Sequence, residues 1–486
     1  MHRRFLVPVR SAAVLGAALL SLGVGVAGAA GAERLGFAPR QYVDSELAGG
    51  EPFVLADNVH KTLIYTAHEG TTHLYRPGLE YPLDFGLNYR NQVNLWRSDD
   101  GGVNWQRLNY LGTGFSTDPT KNTGFSDPDL TQDTGGRVYD TGIDLANDAV
   151  FSTADGGKTW DRGTAQCHDG DRPWLAGGRP DEVFMATNTQ EDGHAIYQST
   201  DGGNTCSAAG IPDEGDAPGG GTYVGNGKLL YDAAHDQLVE PIVFQDNDGK
   251  LVGIGASTWQ RGDAEFTPGA MIPTTLLSHW AAIAIDRAGT LYTVWDTDPR
   301  LDDGQGCGDT LTGNGASGSP LPNAVMLASS PDYGKTWSAP MTVSSPPDSR
   351  VFWPWIAAGD AGRVAVTWYH TDRLADVDCQ PVTVDIESAH ILNATGRPKA
   401  QTIDASNGPI HVDSTVCMGG TTCVATGQDR RLGDFFTNAI DPNGCEVIAS
   451  GDTIRPNPLT GGPRPTALPI LIRQNSGPKL VGKGNC

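Results

Sequence analysis

Seven times along the chain a short polar turn separates two apolar, β-branched runs at a fixed offset. The turns begin at Asp57, Asp133, Gly178, Ala233, Asp286, Asp360 and Asp441, and lead into segments such as Thr62-Leu63-Ile64-Tyr65, Arg137-Val138-Tyr139 and Thr290-Leu291-Tyr292. Apolar runs bounded by Asp and Gly turns are β-hairpins. Their spacing leaves room for four short strands per repeat, with loops of unequal length. Composition agrees, because 63 Gly and 32 Pro among 486 residues make about a fifth of the chain turn-forming, and no helical apolar period persists. A mostly helical fold is excluded.

A second repeat lies between the hairpins. Ser98-Asp99-Asp100-Gly101-Gly102-Val103-Asn104-Trp105 recurs as Thr153-Ala154-Asp155-Gly156-Gly157-Lys158-Thr159-Trp160, as Ser199-Thr200-Asp201-Gly202-Gly203-Asn204-Thr205-Cys206 and as Ser330-Pro331-Asp332-Tyr333-Gly334-Lys335-Thr336-Trp337. The carboxylate accepts backbone N–H groups inside the turn and glycine supplies positive φ, so Asp100, Asp155, Asp201 and Asp332 are structural. Four copies of this pattern resemble the Asp-box, or bacterial neuraminidase repeat, family of sialidases and other secreted β-propellers. The resemblance implies an all-β fold, a single β-propeller of four-stranded antiparallel blades spanning residues 33–486. The hairpins favour seven blades. Six remains possible, since sialidase propellers have six and the turn at Ala233 is degenerate. Hairpins and Asp boxes then share one face, which leaves the opposite face for chemistry.

Residues 1–32 form a secretory signal peptide: Arg3, Arg4 and Arg10, an apolar run from Ala12 to Val26, and the small-residue cleavage signal Ala30-Gly31-Ala32. The run is too short to span a membrane, so the mature protein is expected to be secreted, extracellular or periplasmic, without membrane insertion. Removing three arginines and no acid makes the net charge of −23 more negative still, which argues against nucleic acid as a partner. Eight cysteines in an oxidising compartment suggest up to four disulfides. The expected pairs are Cys307 with Cys379 between long loops of adjacent blades, Cys417 with Cys423, Cys445 with Cys486, and Cys167 with Cys206.

Just before each hairpin's first strand, at the functional face, a column of chemically active residues appears. It reads Glu51-Pro52-Phe53, Asp127-Pro128-Asp129, Arg172-Pro173-Trp174, His279-Trp280-Ala281, Trp353-Pro354-Trp355 and Asp434-Phe435-Phe436, with a vaguer seventh member near Tyr223. Propeller symmetry would gather these residues at the mouth of the central channel. Carboxylates, an arginine, a histidine and indoles in one concavity suit a sugar pocket. Glu51, Asp127, Asp434 and His279 are the expected catalytic groups. Asp171, Arg172, Trp174, Trp280 and Trp353 are the expected binding groups, although an X-Pro-aromatic step also suits a strand start that packs between blades. The sialidase resemblance further implies three arginines that bind a substrate carboxylate and a tyrosine nucleophile. Arg76 in Tyr75-Arg76-Pro77, which lacks the Ile of the family's motif, is the nearest match to the first arginine; Arg90, Arg172, Arg350 and Arg373 are the candidates for the others, and Tyr369 for the nucleophile.

No metal ligand set is expected and no cofactor is required, though calcium is possible at Asp296-Thr297-Asp298 with Asp302-Asp303-Gly304, or at Asp246-Asn247-Asp248-Gly249. The chain has no Gly-x-Ser-x-Gly elbow, phosphate loop, dinucleotide fingerprint or His-Glu-x-x-His. The leading expectation is a monomeric, sialidase-like exo-glycosidase acting on carbohydrate or glycoconjugates. Two alternatives stay open: a non-catalytic propeller that binds glycan or protein, and a polysaccharide lyase using His279 as base.

Overall fold

The computed structural model describes residues 34–70, 72–75, 92–108, 124–143, 148–164, 170–189, 193–298, 321–420, 423 and 427–486. Within them the chain is a β-propeller of seven antiparallel sheets. Phe53–Asp57, Thr62–Ala67, Asn94–Ser98 and Gln106–Arg107 make the first, each strand beside the next. Sheets two, three and five repeat this meander, starting at Ser126–Gln132, Gly170–Gly177 and Ala282–Ile285. The fourth is widened to seven strands around the long pair Gln237–Gln245 and Leu251–Gln260. The sixth starts at Val351–Ala358 and gains His411–Ser414 as an extra edge strand.

The seventh sheet closes the ring. Thr437–Ile440, Glu446–Asp452 and Leu468–Ser476 pair in order, and the outer position is taken by Gly36–Phe37 and Gln41–Tyr42 from the opposite end of the chain. Joining the two ends in one sheet removes the open seam of the ring. Strands near the axis are buried on both faces because sheets stack on either side, as in Thr62–Ala67, every residue of which is buried. Rim strands such as Gln106–Arg107 are exposed.

Each of the seven expected turns joins two neighbouring strands of one sheet. Two of them show the same chemistry: Asp133 Oδ1 accepts the N–H groups of Gly135 and Arg137 while Oδ2 accepts the Tyr139 hydroxyl, and Asp286 does the same for Ala288, Thr290 and Tyr292. The second repeat folds as anticipated. Asp100 Oδ1 accepts from Val103 N at 3.1 Å and Asn104 N at 2.8 Å, and Asp155, Asp201 and Asp332 bind the equivalent backbone of their own turns. Cys417 is bonded to Cys423 and Cys445 to Cys486, as expected. Cys206 and Cys379 are also disulfide-bonded, while Cys167 and Cys307 lie outside the described residues.

The oxygen-rich segments are used internally. Asp246 accepts the N–H groups of Asp248 and Lys250 in a tight turn. Asp296 is buried and accepts from Ser278 N and Trp353 N, tying the fifth sheet to the sixth. Asp302, Asp303 and Gly304 lie outside the described residues.

Candidate functional site at the channel mouth

Four sheets begin their innermost strand with an X-Pro step, in which X is Glu51, Asp127, Arg172 or Trp353. A residue before proline is normally extended. Here all four are left-handed, with φ of 48°, 49°, 58° and 51°. Each such non-glycine residue costs about 1–3 kcal/mol, which the surrounding packing must offset. In three of the sheets the pairing register also slips across this step, between Ser126 and Asp129, Asp171 and Trp174, and Phe352 and Trp355. Such a bulge re-aims the side chain at X, away from the alternation of the strand.

Three of the four residues converge. Glu51, Asp127 and Arg172 line one shallow pocket with Pro173, Trp174, Trp280, Asp434 and Phe435. Its floor is an aromatic plug. The Trp174 ring lies 5.2 Å from Trp280, 5.4 Å from Phe435 and 6.0 Å from Trp355 by centroid. All four side chains are buried, so a ligand must sit above the plug. Trp174 is therefore packing, and one face of Trp280 is covered by the Arg172 guanidinium at 5.2 Å, which corrects the expectation of two free stacking platforms.

The charges in this pocket are sorted by their neighbours. Glu51 is fully buried, with Oε1 2.8 Å from His73 Nε2 and accepting the Asp434 N–H at 3.0 Å. Burial alone would raise its pKa, but His73 and the Arg430 guanidinium, 3.7 Å away, outweigh it and bring the carboxyl below its ordinary range. Only glycine fits at position 433 beside it, because a Cβ there would meet Glu51 Cγ at 2.1 Å. Asp434 is also buried, yet its two oxygens accept from Arg430 Nη1 at 2.6 Å and Nη2 at 2.8 Å, and the pair holds it far below the usual carboxylate range.

Asp127 behaves in the opposite way. It is half-buried, and its Oδ1 accepts the Ser126 hydroxyl at 2.7 Å. Burial, followed by the charges of Glu51 and Asp171, pushes its pKa well above the ordinary value. His279 stacks beside Trp280 with centroids 5.7 Å apart. Burial lowers its pKa, with Arg172 adding to this against the opposing charge of Asp434. The pocket thus sets an acid of raised pKa beside two carboxyls of lowered pKa, an arrangement that suits proton donation.

Other expected residues fall elsewhere. Asp171 is exposed, with Oδ2 3.9 Å from Arg172 Nε at the pocket rim. Arg76 and Arg90 lie outside the described residues. Tyr369 is not brought to the pocket: it is fully buried, stacked on Phe436 at 4.0 Å, and shares a 2.8 Å hydrogen bond with Ser450 Oγ. Burial raises its pKa, which opposes formation of a tyrosinate nucleophile. Trp353 packs against Phe352 and Tyr369 instead of facing substrate, because its large indole joins that apolar cluster. Two residues of the site went unforeseen, Arg430 and His73. Both come from connecting segments with no repeat to mark them, and the only local signal was Arg430 four positions before Asp434.

No protein-family model matches the chain, and no curated protein matches it in sequence. Solved structures do. A protein of unknown function from Dyadobacter fermentans superimposes with a TM-score of 0.46 at 13% identity, over 92% of this chain and 100% of that one. An ulvan lyase of polysaccharide lyase family 25 gives 0.43 at 8% identity, over 93% and 98%. A Trypanosoma rangeli sialidase gives 0.38 at 11% identity, over 90% and 57%. At such identities the chemistry of the pocket has to be argued from its own residues.

Proposed function

We propose that the protein is an exported propeller that acts on carbohydrate as a sialidase-like exo-glycosidase, with Asp127 as general acid. The observation that carries this reading is the placement of Asp127: held in a left-handed backbone before Pro128 and half-exposed in one pocket with Glu51 and Asp434, where burial and its acidic neighbours raise its pKa. Strained backbone concentrates at functional sites. In the proposed step Asp127 gives its proton to the departing glycosidic oxygen as the anomeric C–O bond breaks, and a water molecule then forms the new C–O bond at the anomeric carbon while its proton returns to Asp127. The anionic Asp434, fixed by Arg430, stabilises the positive charge on the sugar ring. Glu51 is a positioning residue, since it is fully buried and hydrogen-bonded to the backbone of Asp434. Arg172 and Asp171 at the rim would bind hydroxyl or carboxylate groups of the sugar. Export is supported by the disulfides and by the amino-terminal segment; among the described residues no helix is long and apolar enough to cross a membrane.

The test is turnover of a panel of fluorogenic glycosides, including a sialoside, by the mature protein and by Asp127→Asn. Loss of general acid catalysis should lower kcat by about 10²–10⁴-fold, least for leaving groups that need no proton. Wild-type activity should decline as pH rises through the elevated pKa of Asp127. A folded wild-type protein with no turnover on any glycoside would reject the hydrolase reading and favour a binding propeller, which the filled channel would suit. One observation favours a second chemistry: His279, its pKa lowered by burial and its Nε2 unbonded among the described residues, has the state required of a lyase base. Rising absorbance from an unsaturated product on uronate polymers would identify that reaction.

A further inference from the structure

Away from the channel mouth, three acceptor side chains meet between the third and fourth sheets. His194 stands near the start of strand Gly193–Ser199, Glu240 lies within Gln237–Gln245, and Asp213 belongs to the segment that crosses from one sheet to the next. Asp213 and Glu240 are fully buried and His194 nearly so. His194 Nε2 is 2.8 Å from Glu240 Oε1 and 3.1 Å from Asp213 Oδ2, and the ligating atoms of all three lie within 4.8 Å of one another.

The other imidazole nitrogen fixes the chemistry of this meeting. His194 Nδ1 is 2.8 Å from Asn188 Oδ1, the side chain of its cross-strand partner. An amide oxygen can only accept, so Nδ1 carries a proton there and Nε2 of the neutral ring presents a lone pair to two carboxylates. Beyond the imidazole, the Asp213 and Glu240 carboxyls lie against one another, close enough to share a proton, and no other side chain among the described residues is bonded to Asp213 Oδ1 or Oδ2 or to Glu240 Oε2. No lysine or arginine is paired with either acid among those residues. The Glu240 carboxyl packs on Gly225, where a Cβ would lie 2.6–2.7 Å from its atoms. A dry pocket of converging acceptors is costly unless a cation or protons fill it.

We propose that His194, Asp213 and Glu240 bind a divalent transition-metal cation that staples the third sheet to the fourth. One imidazole nitrogen and two carboxylate oxygens form a donor set suited to zinc, with ligand distances of about 2.0–2.2 Å. Asn188 supplies the outer hydrogen bond that orients the histidine. The site is structural in placement, because none of its residues lines the channel-mouth pocket.

The experiment uses the mature protein, stripped with a chelator, offered zinc and desalted, with metal read by elemental analysis. Wild type should retain about one zinc per chain and unfold at higher denaturant with zinc than after chelation. His194→Gln and Asp213→Asn should lose the retained zinc. Asn188→Ala, which leaves every ligand in place, should weaken zinc binding about 10–100-fold. Visible absorption bands from Co²⁺ substituted for zinc would report the ligand field independently of stability. A folded wild-type protein that retains no zinc would overturn the proposal and leave shared protons to satisfy the cluster. Equal zinc retention by folded His194→Gln would also overturn it. Should His194→Gln fail to fold, Asn188→Ala and the metal content of wild type decide the matter.

Discussion

Replacing Arg430 by methionine tests the electrostatic account of the pocket directly. The Arg430 side chain is 4% exposed and the Asp434 side chain 9%, and two short hydrogen bonds join them. Glu51, 1% exposed, lies 3.7 Å from the same guanidinium. Removing the cation leaves Asp434 buried without its main counter-charge and Glu51 beside it with His73 alone. Breaking a buried pair in this way costs about 3–5 kcal/mol. With a urea m-value of about 3 kcal/mol/M the unfolding midpoint should fall by about 1–1.7 M. The change can be followed by fluorescence of Trp174, Trp280 and Trp355, which pack beneath the pair.

The pH dependence gives the sign. In the wild type the folded pKa of Asp434 lies below its unfolded value near 4, so its contribution is present above about pH 4 and is lost as pH falls. In the variant, burial and mutual repulsion raise the folded values of Asp434 and Glu51, and stability declines as pH rises through them. The gap between the two proteins should therefore be widest near neutral pH and narrow below about pH 4. Adding Asp434→Leu to Arg430→Met should recover part of the loss, because an apolar pair avoids the unpaired charge. A loss under about 1 kcal/mol at pH 7, or a gap that does not change between pH 4 and 8, would refute this reasoning.

Two further outcomes are expected. Asp127→Gly relieves a left-handed non-glycine residue and removes an acid beside Glu51, so the variant should be more stable by about 1 kcal/mol in urea denaturation while losing turnover; a less stable variant would show that the backbone there is not strained. Asp100→Ala removes the acceptor for two turn N–H groups at an exposed site, with a cost of about 0.5–1 kcal/mol at pH 7. Because folding lowers the Asp100 pKa to about 2, that cost should shrink as pH falls from about 4 toward 2, and a constant difference across this range would contradict the assigned bonds.

Much of the architecture was legible because it is local. A hairpin turn needs Asp, Gly and flanking β-branched runs within a few residues, and all seven expected turns fall between paired strands. The X-Pro column was legible for the same reason, and Glu51, Asp127, Arg172 and Asp434 do share one pocket. Tyr369 and Trp353 were misplaced because a sequence shows that a residue precedes or follows a bulge, not which packed cluster its ring will join. Arg430 and His73 were missed because they reach the pocket from connecting segments. The His194, Asp213 and Glu240 cluster has no metal-site spacing, since its members come from two strands and a crossover segment.

The sequence by itself therefore determined the strands, the turns and the chemical types that start each innermost strand, all properties of short stretches of backbone. Only the tertiary structure decided which of them meet. Closing the ring sets the Asp434 N–H on the Glu51 carboxylate across 383 residues of chain. That same closure buries the acids and places Arg430 in ion-pair contact with two of them. Ionisation follows from burial and from the charges within a few ångströms, and neither exists until the chain has folded.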